Sequence, residues 1–267
     1  MLGLKPSIKK YGYKIKELNL EQEGKIQVAE WMHPSCSEFV LTQREVNALK
    51  QIVNPGDVCI DIGAHLGDTS IPMGLAVGKD GVVLAIEPNS YVFETLSANS
   101  KLNTDKYSII PLCFAVTPED NEMYFEYSDP GFCNGGFHEN ISKWKHGHSF
   151  KLKVEGKNLV AYLNKNYEEL INRIKYIKID AEGFDLSILK SLDYIIEKKK
   201  PFIRVEVFKK SSKEYRLNMF RYLHEHGYKM YKFIDSENYY GEELSEVDLM
   251  KFKYFDIFAV SEKHRSV

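Results

Sequence analysis

Asp57-Val-Cys-Ile-Asp-Ile-Gly-Ala-His-Leu-Gly67 is the stretch whose reading decides the fold. A short apolar run ends in Asp61, and Gly63 and Gly67 follow at once. A buried parallel strand hands over in this way to a tight loop that a ligand's atoms approach through the backbone. Twenty residues on, the run Val82 to Ile86 ends in Glu87. An acidic side chain at that place accepts hydrogen bonds from a ribose hydroxyl pair. The two strand ends together point to a ligand with an adenosine part.

Outward from this stretch the pattern alternates. Asn54-Pro55-Gly56 turns the chain into the first strand, and a helix is expected from about Asp68, with Pro72 in its first turns. Further helices are expected at Ser90–Ser100, Val160–Leu170, after Asp185 and at Ser211–His226. Strands are expected at Tyr107–Leu112, Met123–Tyr127, Tyr176–Asp180, Phe202–Val207, Tyr228–Ile234 and Phe255–Val260, with a polar loop over 235–248. Such βα alternation implies a mostly parallel sheet covered on both faces. Upstream, Lys14–Leu20 and Lys25–Trp31 read as two strands about Glu23-Gly24, and Thr42 with Glu45 reads as a helix cap. Residues 1–50 are expected to form an N-terminal cap, residues 51–267 the main domain, and 128–157 an excursion facing the substrate.

The bulk composition narrows the classes. The 267 residues hold 43% hydrophobic and 28% charged side chains with a net charge of -2, so no global field draws the chain to nucleic acid or anionic lipid. Cysteines 36, 59, 113 and 133 show no CxxC spacing, and no apolar block has the length of a signal peptide or membrane span. A reducing, cytoplasmic location is the expectation.

The loop departs from GxGxxG. Its Gly63-x-x-x-Gly67 spacing closes less tightly on a pyrophosphate, and the carboxylate of Asp61 repels a diphosphate but suits an ammonium group. That favours S-adenosylmethionine over a nicotinamide dinucleotide. A second dense site is Lys178-Ile-Asp-Ala-Glu-Gly183-Phe-Asp185. Asp180 ends a strand on the same sheet edge as Asp61 and Glu87, Gly183 allows an unusual loop conformation, and Asp185 reads chiefly as a helix cap. Glu206 lies within a valine-flanked strand, where a carboxylate is costly unless paired or liganding. Arg204, two residues back, is its expected structural partner. The functional reading joins Glu206 to Asp180 as general base or as ligands to a divalent cation. His148 or His146 is a further option for the base. Cys133, His138, His146 and His148 fit no compact zinc site, and Lys143, Lys145, Lys151, Lys153 and Lys157 read as a solvated face.

With both motifs in view, the chain resembles the FkbM-like family of S-adenosylmethionine-dependent methyltransferases from roughly Glu45 to Val260. The resemblance rests on Pro55 to Gly67, Ala85-Ile-Glu-Pro88, Ala115-Val116 and Lys178 to Gly183. It implies the class I methyltransferase fold, a Rossmann-like α/β architecture with a seven-stranded, mostly parallel sheet and an antiparallel last strand. It also implies that Asp61, Gly63 and Gly67 line the methionine end of the cofactor, with Ala64, His65 and Thr69 in the same loop. Glu87, with Pro88, would bind the ribose, and Ala115 would lie beside the adenine. Glu45 matches an upstream acidic position of the family, whereas His65 stands where asparagine is commoner.

The implied activity is methyl transfer to a hydroxyl of a sugar, glycan or natural product. An N-methyltransferase acting on a peptide or small amine, a cofactor-binding scaffold without turnover and a nicotinamide-dependent oxidoreductase are the other readings. The expected partner is a small molecule or glycan, with a homodimer as the form of any self-association.

Overall fold

The computed structural model describes residues 7–133, 135, 136 and 150–264. Its centre is a seven-stranded sheet. In chain order the strands are β3 (Val58–Ile62), β4 (Val82–Ile86), β5 (Ile109–Leu112), β10 (Ile174–Ile179), β11 (Phe202–Val207), β12 (Tyr228–Lys232) and β13 (Phe255–Ser261). Their spatial order is β12-β13-β11-β10-β3-β4-β5, and β13 runs antiparallel to both its neighbours while β5, β4, β3, β10 and β11 are mutually parallel. This is the mostly parallel sheet that the βα alternation predicted, with the seven strands and antiparallel last strand of the class I methyltransferase fold that the family resemblance implied. The strand order reverses between β3 and β10, and ligands of open α/β sheets bind outside the carboxyl ends at such a switch point.

All five residues of β3 are buried, as a central strand covered on both faces must be. Alternation sends Ile60 and Ile62 to one apolar cluster with Ile177, Ile179, Leu189, Met219 and Ile257. Cys59 goes to the opposite cluster with Val83, Tyr176 and Phe258. The first face is covered by α4 (Leu159–Asn166), α5 (Glu168–Ile171), α6 (Asp185–Ser191), α7 (Asp193–Lys199) and α8 (Lys213–Glu225). On the second face lie α1 (Gln43–Leu49), α2 (Ser70–Val77) and α3 (Ser90–Asn99).

Asparagine, serine and threonine begin several of these helices by accepting from a backbone N–H: Thr42 from Glu45, Asn89 from Tyr91, Asn158 from Ala161 and Ser212 from Tyr215. Two expected helices are broken. Tyr167, at φ -151°, divides α4 from α5, and Leu192 joins α6 to α7.

The N-terminal hairpin of β1 (Tyr13–Leu20) and β2 (Gly24–Trp31) does not stand apart from the core. Leu20, Ile26, Val28 and Trp31 belong to the same apolar cluster as Cys59 and Val83. Asn99 of α3 pins β2 through both amide groups of Ala29 and also donates to Leu66 O. Under this layer every residue of α2 is buried.

Residues 115–157 supply a second sheet in the order β6-β9-β7-β8, from β6 (Ala115–Val116), β7 (Asn121–Tyr127), β8 (Gly135–Gly136) and β9 (Phe150–Lys157). In β9, Phe150 and Val154 are buried while Lys151 and Lys153 are exposed and pair with Glu126 and Glu122. Lys151, Lys153 and Lys157, three of the lysines read as a solvated face, thus belong to a half-buried strand whose period of two went unread. Among the described residues no helix is long and apolar enough to cross a membrane.

Candidate active site

Strands β3 and β10 end side by side, so the loops after Ile62 and Ile179 open on one edge. Gly63 takes φ 77° and lies so close to the second loop that a Cβ there would sit 2.0 Å from the Asp180 carbonyl oxygen. A side chain is excluded at this contact. His65 is at φ 49° and Glu182 at φ 52°, uncommon values for residues with a Cβ, and both line the opening between the loops.

Register explains the ionic groups beneath. Asp61 pairs with Lys178, and Lys178 with Arg204. Asp61 is fully buried; its Oδ2 accepts from Thr69 Oγ1 and Ser70 Oγ, each at 2.6 Å. Lys178 Nζ lies 3.3 Å from Asp61 Oδ1 and 3.5 Å from Asp180 Oδ2, and donates to Gly63 O at 3.2 Å. Burial would lower the Lys178 pKa, but Asp61 and Asp180 outweigh it and hold the ammonium charged well above its ordinary range. One lysine therefore ties both loops together.

At the end of β4, Glu87 Oε1 accepts from Asn89 N at 2.7 Å and Oε2 from His65 N at 2.9 Å. Burial raises its pKa to about 7 despite these bonds. Each oxygen keeps acceptor capacity beyond its single N–H. His65 stands edge-on to Trp31 at 5.9 Å, and burial lowers its pKa against the opposing pull of Asp68, leaving a neutral imidazole at pH 7.

These groups surround a cavity of about 610 Å³. Gly63, His65, Glu87 and Asn89 form one side, Phe114 to Thr117 an end, and Asp180 to Glu182 with Phe184 the other side. The segment 35–40 and β7's Met123, Phe125 and Tyr127 close it from outside.

One strand further, Glu206 lies opposite Asp256 of β13 and is 5% exposed. Arg204 is not its partner: the guanidinium turns to Asp256 Oδ2, at 2.7 Å from both Nε and Nη2, and stacks 3.8 Å from the Phe233 ring centroid. Glu206 Oε2 has no hydrogen-bond partner among the described residues. Burial, then Asp180, Asp185 and Glu182, raise the Glu206 pKa to about 9. Asp185 clamps the loop before α6 by accepting from Ala181 N and Gly183 N, both at 2.9 Å, and burial raises its pKa to about 7.

Residues 61–230 match the family described as Methyltransferase FkbM domain. The chain belongs to the FkbM methyltransferase family. Its family cofactor is S-adenosylmethionine, and the donor set fits it: a carboxylate with free acceptor positions, a glycine loop and an apolar end wall.

No curated protein matches the chain. Among solved structures, an FkbM methyltransferase from Methylobacillus flagellatus KT is 14% identical with a TM-score of 0.46, covering 77% of this chain and 44% of its own. The present chain thus spans less than half the length of that relative. Precorrin-6y C5,15-methyltransferase from Geobacter metallireducens GS-15 is 12% identical with a TM-score of 0.43, covering 84% of this chain and 91% of its own. Aeropyrum pernix fibrillarin, solved with natively bound S-adenosyl-L-methionine, is 9% identical with a TM-score of 0.44 and covers 96% and 100%.

Of the residues expected from sequence, Gly63, His65, Glu87, Pro88, Ala115 and Asp180 line the FkbM cavity. Asp61, Ala64, Gly67 and Thr69 are not among its described lining residues. Asp61 and Thr69 bond to each other beneath the loop, and Ala64 and Gly67 are buried. Glu45, on α1, is also not among the lining residues; burial raises its pKa to about 7 against a hydrogen bond with Ser236. Glu206 flanks the site from β11, and His148 lies outside the described residues, as do His138, His146, Lys143 and Lys145. Among the described residues no three His, Cys, Asp or Glu side chains converge as a metal site. Sequence reasoning missed Lys178 as a bridge, Asn89 and the segment 35–40. Only Asn89 carried a signal, as the polar residue preceding an expected helix.

Proposed function

We propose that the chain transfers a methyl group from S-adenosylmethionine to a hydroxyl oxygen of a sugar, glycan or comparable natural product. The observation that carries the reading is the placement of Asp180, a half-exposed carboxylate anchored by Lys178 across the cavity from Glu87. When bound, the cofactor supplies an electrophilic methyl on a sulfonium. Glu87 would accept from the ribose hydroxyls, and the backbone around Gly63 would take the methionine end. Asp180 would receive the acceptor proton as the new O–C bond forms and the S–C bond breaks. Alignment of the acceptor would supply most of the acceleration, with proton removal adding to it. Glu206 and His148 are the other groups proposed for the proton.

Calorimetry with S-adenosylhomocysteine and intact-mass screening of glycans and natural products for one added methylene test the reading. Asp61→Ala is expected to lose cofactor binding, and Asp180→Ala to keep it and lose transfer. Equal loss of binding in both variants would sink the division of roles. A chelator arm decides whether Asp180 and Glu206 act alone or around a divalent cation. The four free thiols suit a reducing cytoplasm.

A further inference from the structure

Asn89 uses more of its groups than a helix cap requires. Its Oδ1 accepts from Tyr91 N at 3.0 Å, the bond that begins α3. Its own N–H donates back to Glu87 Oε1 at 2.7 Å. Its Nδ2 donates outward to Phe132 O at 2.6 Å. The residue is 5% exposed and lines the cavity. One side chain therefore joins the carboxylate at the end of β4, a helix start and the turn that follows β7.

That turn is built to present the Phe132 carbonyl. Phe132 is buried at φ 59°, a left-handed conformation that a residue with a Cβ keeps only where its surroundings fix it. Its ring stacks on Tyr91 at 4.3 Å and stands edge-on to Tyr127 at 5.3 Å and Phe150 at 6.1 Å. At the other end of the turn, Asp129 accepts from Gly131 N at 2.9 Å and Cys133 N at 3.1 Å. His33 Nδ1 accepts from Ser35 N, so the ring proton is on Nε2, which donates to Asp129 Oδ1 at 3.2 Å. Cys133 then meets the cavity. Of these anchors, Asn89 is the one that also holds Glu87.

We propose that Asn89 is a positioning residue for the cofactor, coupling Glu87 to the 129–133 turn so that ribose binding and docking of the turn reinforce each other. This rests on the reading of Glu87 as the ribose acceptor and goes beyond it by giving the second sheet a part in holding the cofactor. The N–H that orients Oε1 and the Nδ2 that holds Phe132 belong to one residue, itself fixed on α3, so displacement at either end moves the other. Such coupling is reciprocal: the cofactor steadies the turn by the factor by which the docked turn tightens the cofactor. A helix cap alone does neither.

The test uses the full chain and S-adenosylhomocysteine. Asn89→Ser keeps a neutral cap for Tyr91 N, but its hydroxyl is too short to serve Phe132 O as well. Calorimetry is expected to show affinity falling roughly fivefold to tenfold, the scale of one buried hydrogen bond. Asp129→Ala loosens the same turn from its far end. It should weaken binding about as much in the wild-type background and add little in Asn89→Ser, where the coupling is already cut. Hydrogen exchange reads the reverse direction: the ligand should slow exchange over 127–133 in the wild type and not in Asn89→Ser, while slowing it at His65 in both. Asn89→Asp, which also keeps the cap and has no donor for Phe132 O, takes the place of the serine variant if that one does not fold.

Additive losses from the two substitutions overturn the proposal, as does unchanged affinity in Asn89→Ser or protection of the turn that survives it. Glu87→Gln separates the proposal from the reading beneath it. Wild-type affinity in Glu87→Gln would sink the ribose assignment itself. Weak binding there, with full affinity in Asn89→Ser, would sink the coupling alone.

Discussion

The two sides of the cavity are built on opposite electrostatic terms. On the side of β3 and β4 the main carboxylates are answered: Asp61 Oδ2 holds two hydroxyls while its Oδ1, buried without a hydrogen bond, lies 3.3 Å from the Lys178 ammonium, and Glu87 takes two backbone N–H groups. On the side of β10 and β11, Glu206 keeps a buried oxygen unpaired and Glu182 stands in a left-handed conformation beside Asp180. A surface that meets the same cofactor at each turnover gains from being complete in advance. A surface that selects an acceptor gains from groups that only the right ligand completes.

The largest break in that comparison is Lys178→Met. It leaves Asp61 fully buried without its cation, and loss of one partner from a buried pair costs about 3–5 kcal/mol. Denaturant unfolding is expected to show that loss, with S-adenosylhomocysteine binding lost in parallel. Unchanged stability would mean that the two sides are not tied through this lysine. Gly63→Ala comes next. Its Cβ would be placed 2.0 Å from the Asp180 carbonyl at a backbone φ of 77°. The loops must part or the residue must shift, at roughly 1–3 kcal/mol for the strain alone. Cofactor affinity and thermal stability should fall together; a fall in neither would show the contact to be slack.

Glu206→Gln sharpens the comparison from the other side, because it should stabilise. The Glu206 pKa is raised to about 9, above its ordinary range near 4.5. Between those values the folded state binds more protons than the unfolded one, so this group makes stability fall as pH rises through the window. A glutamine cannot ionise and removes that slope. The variant should gain on the order of 1–2 kcal/mol at pH 8 and almost nothing at pH 4, a small share of the shift because the group lies beside an open cavity. Thermal melts at both pH values measure it, and an equal change at the two would show that ionisation is not the cause.

What could be read in advance follows from how local each feature is. Strands β3 and β4 announce themselves as apolar runs that reach Asp61 and Glu87, whereas β10, Ile-Lys-Tyr-Ile-Lys-Ile, carries two lysines and was legible from its aliphatic and aromatic positions before Asp180. The helix start is legible at Thr42 because a cap acts within three residues. Arg204 was misassigned to Glu206 because spacing shows a shared face, while the choice of Asp256 depends on an antiparallel strand some fifty residues away. Asp61 was expected to line the cofactor. The alternation of β3 instead turns it under the loop, where Thr69 and Ser70 reach it. The segment 35–40 and the aromatic face of β7 were silent for the same reason as Arg204. Their role comes from what the hairpin and the second sheet are laid against.

The smallest expected effect belongs to Glu87. Its carboxylate is already bonded to His65 and Asn89, so ribose hydroxyls would only add to a finished arrangement. Those hydroxyls donate best to the ionised form, and burial has raised the Glu87 pKa to about 7. Binding should therefore release a proton below that pH. S-adenosylhomocysteine affinity should rise about tenfold between pH 6 and pH 8, or roughly 1.4 kcal/mol. Glu45 and Asp185 also titrate near pH 7, so the decisive measurement is the slope in Glu87→Gln. An amide cannot lose the proton, and calorimetry of that variant should give weaker binding with a nearly flat pH dependence. A slope that survives the substitution would assign the titration to another group. Glu87 would then be a loop brace like Asp61, and the cofactor side would be finished without needing the charge of its own ribose acceptor.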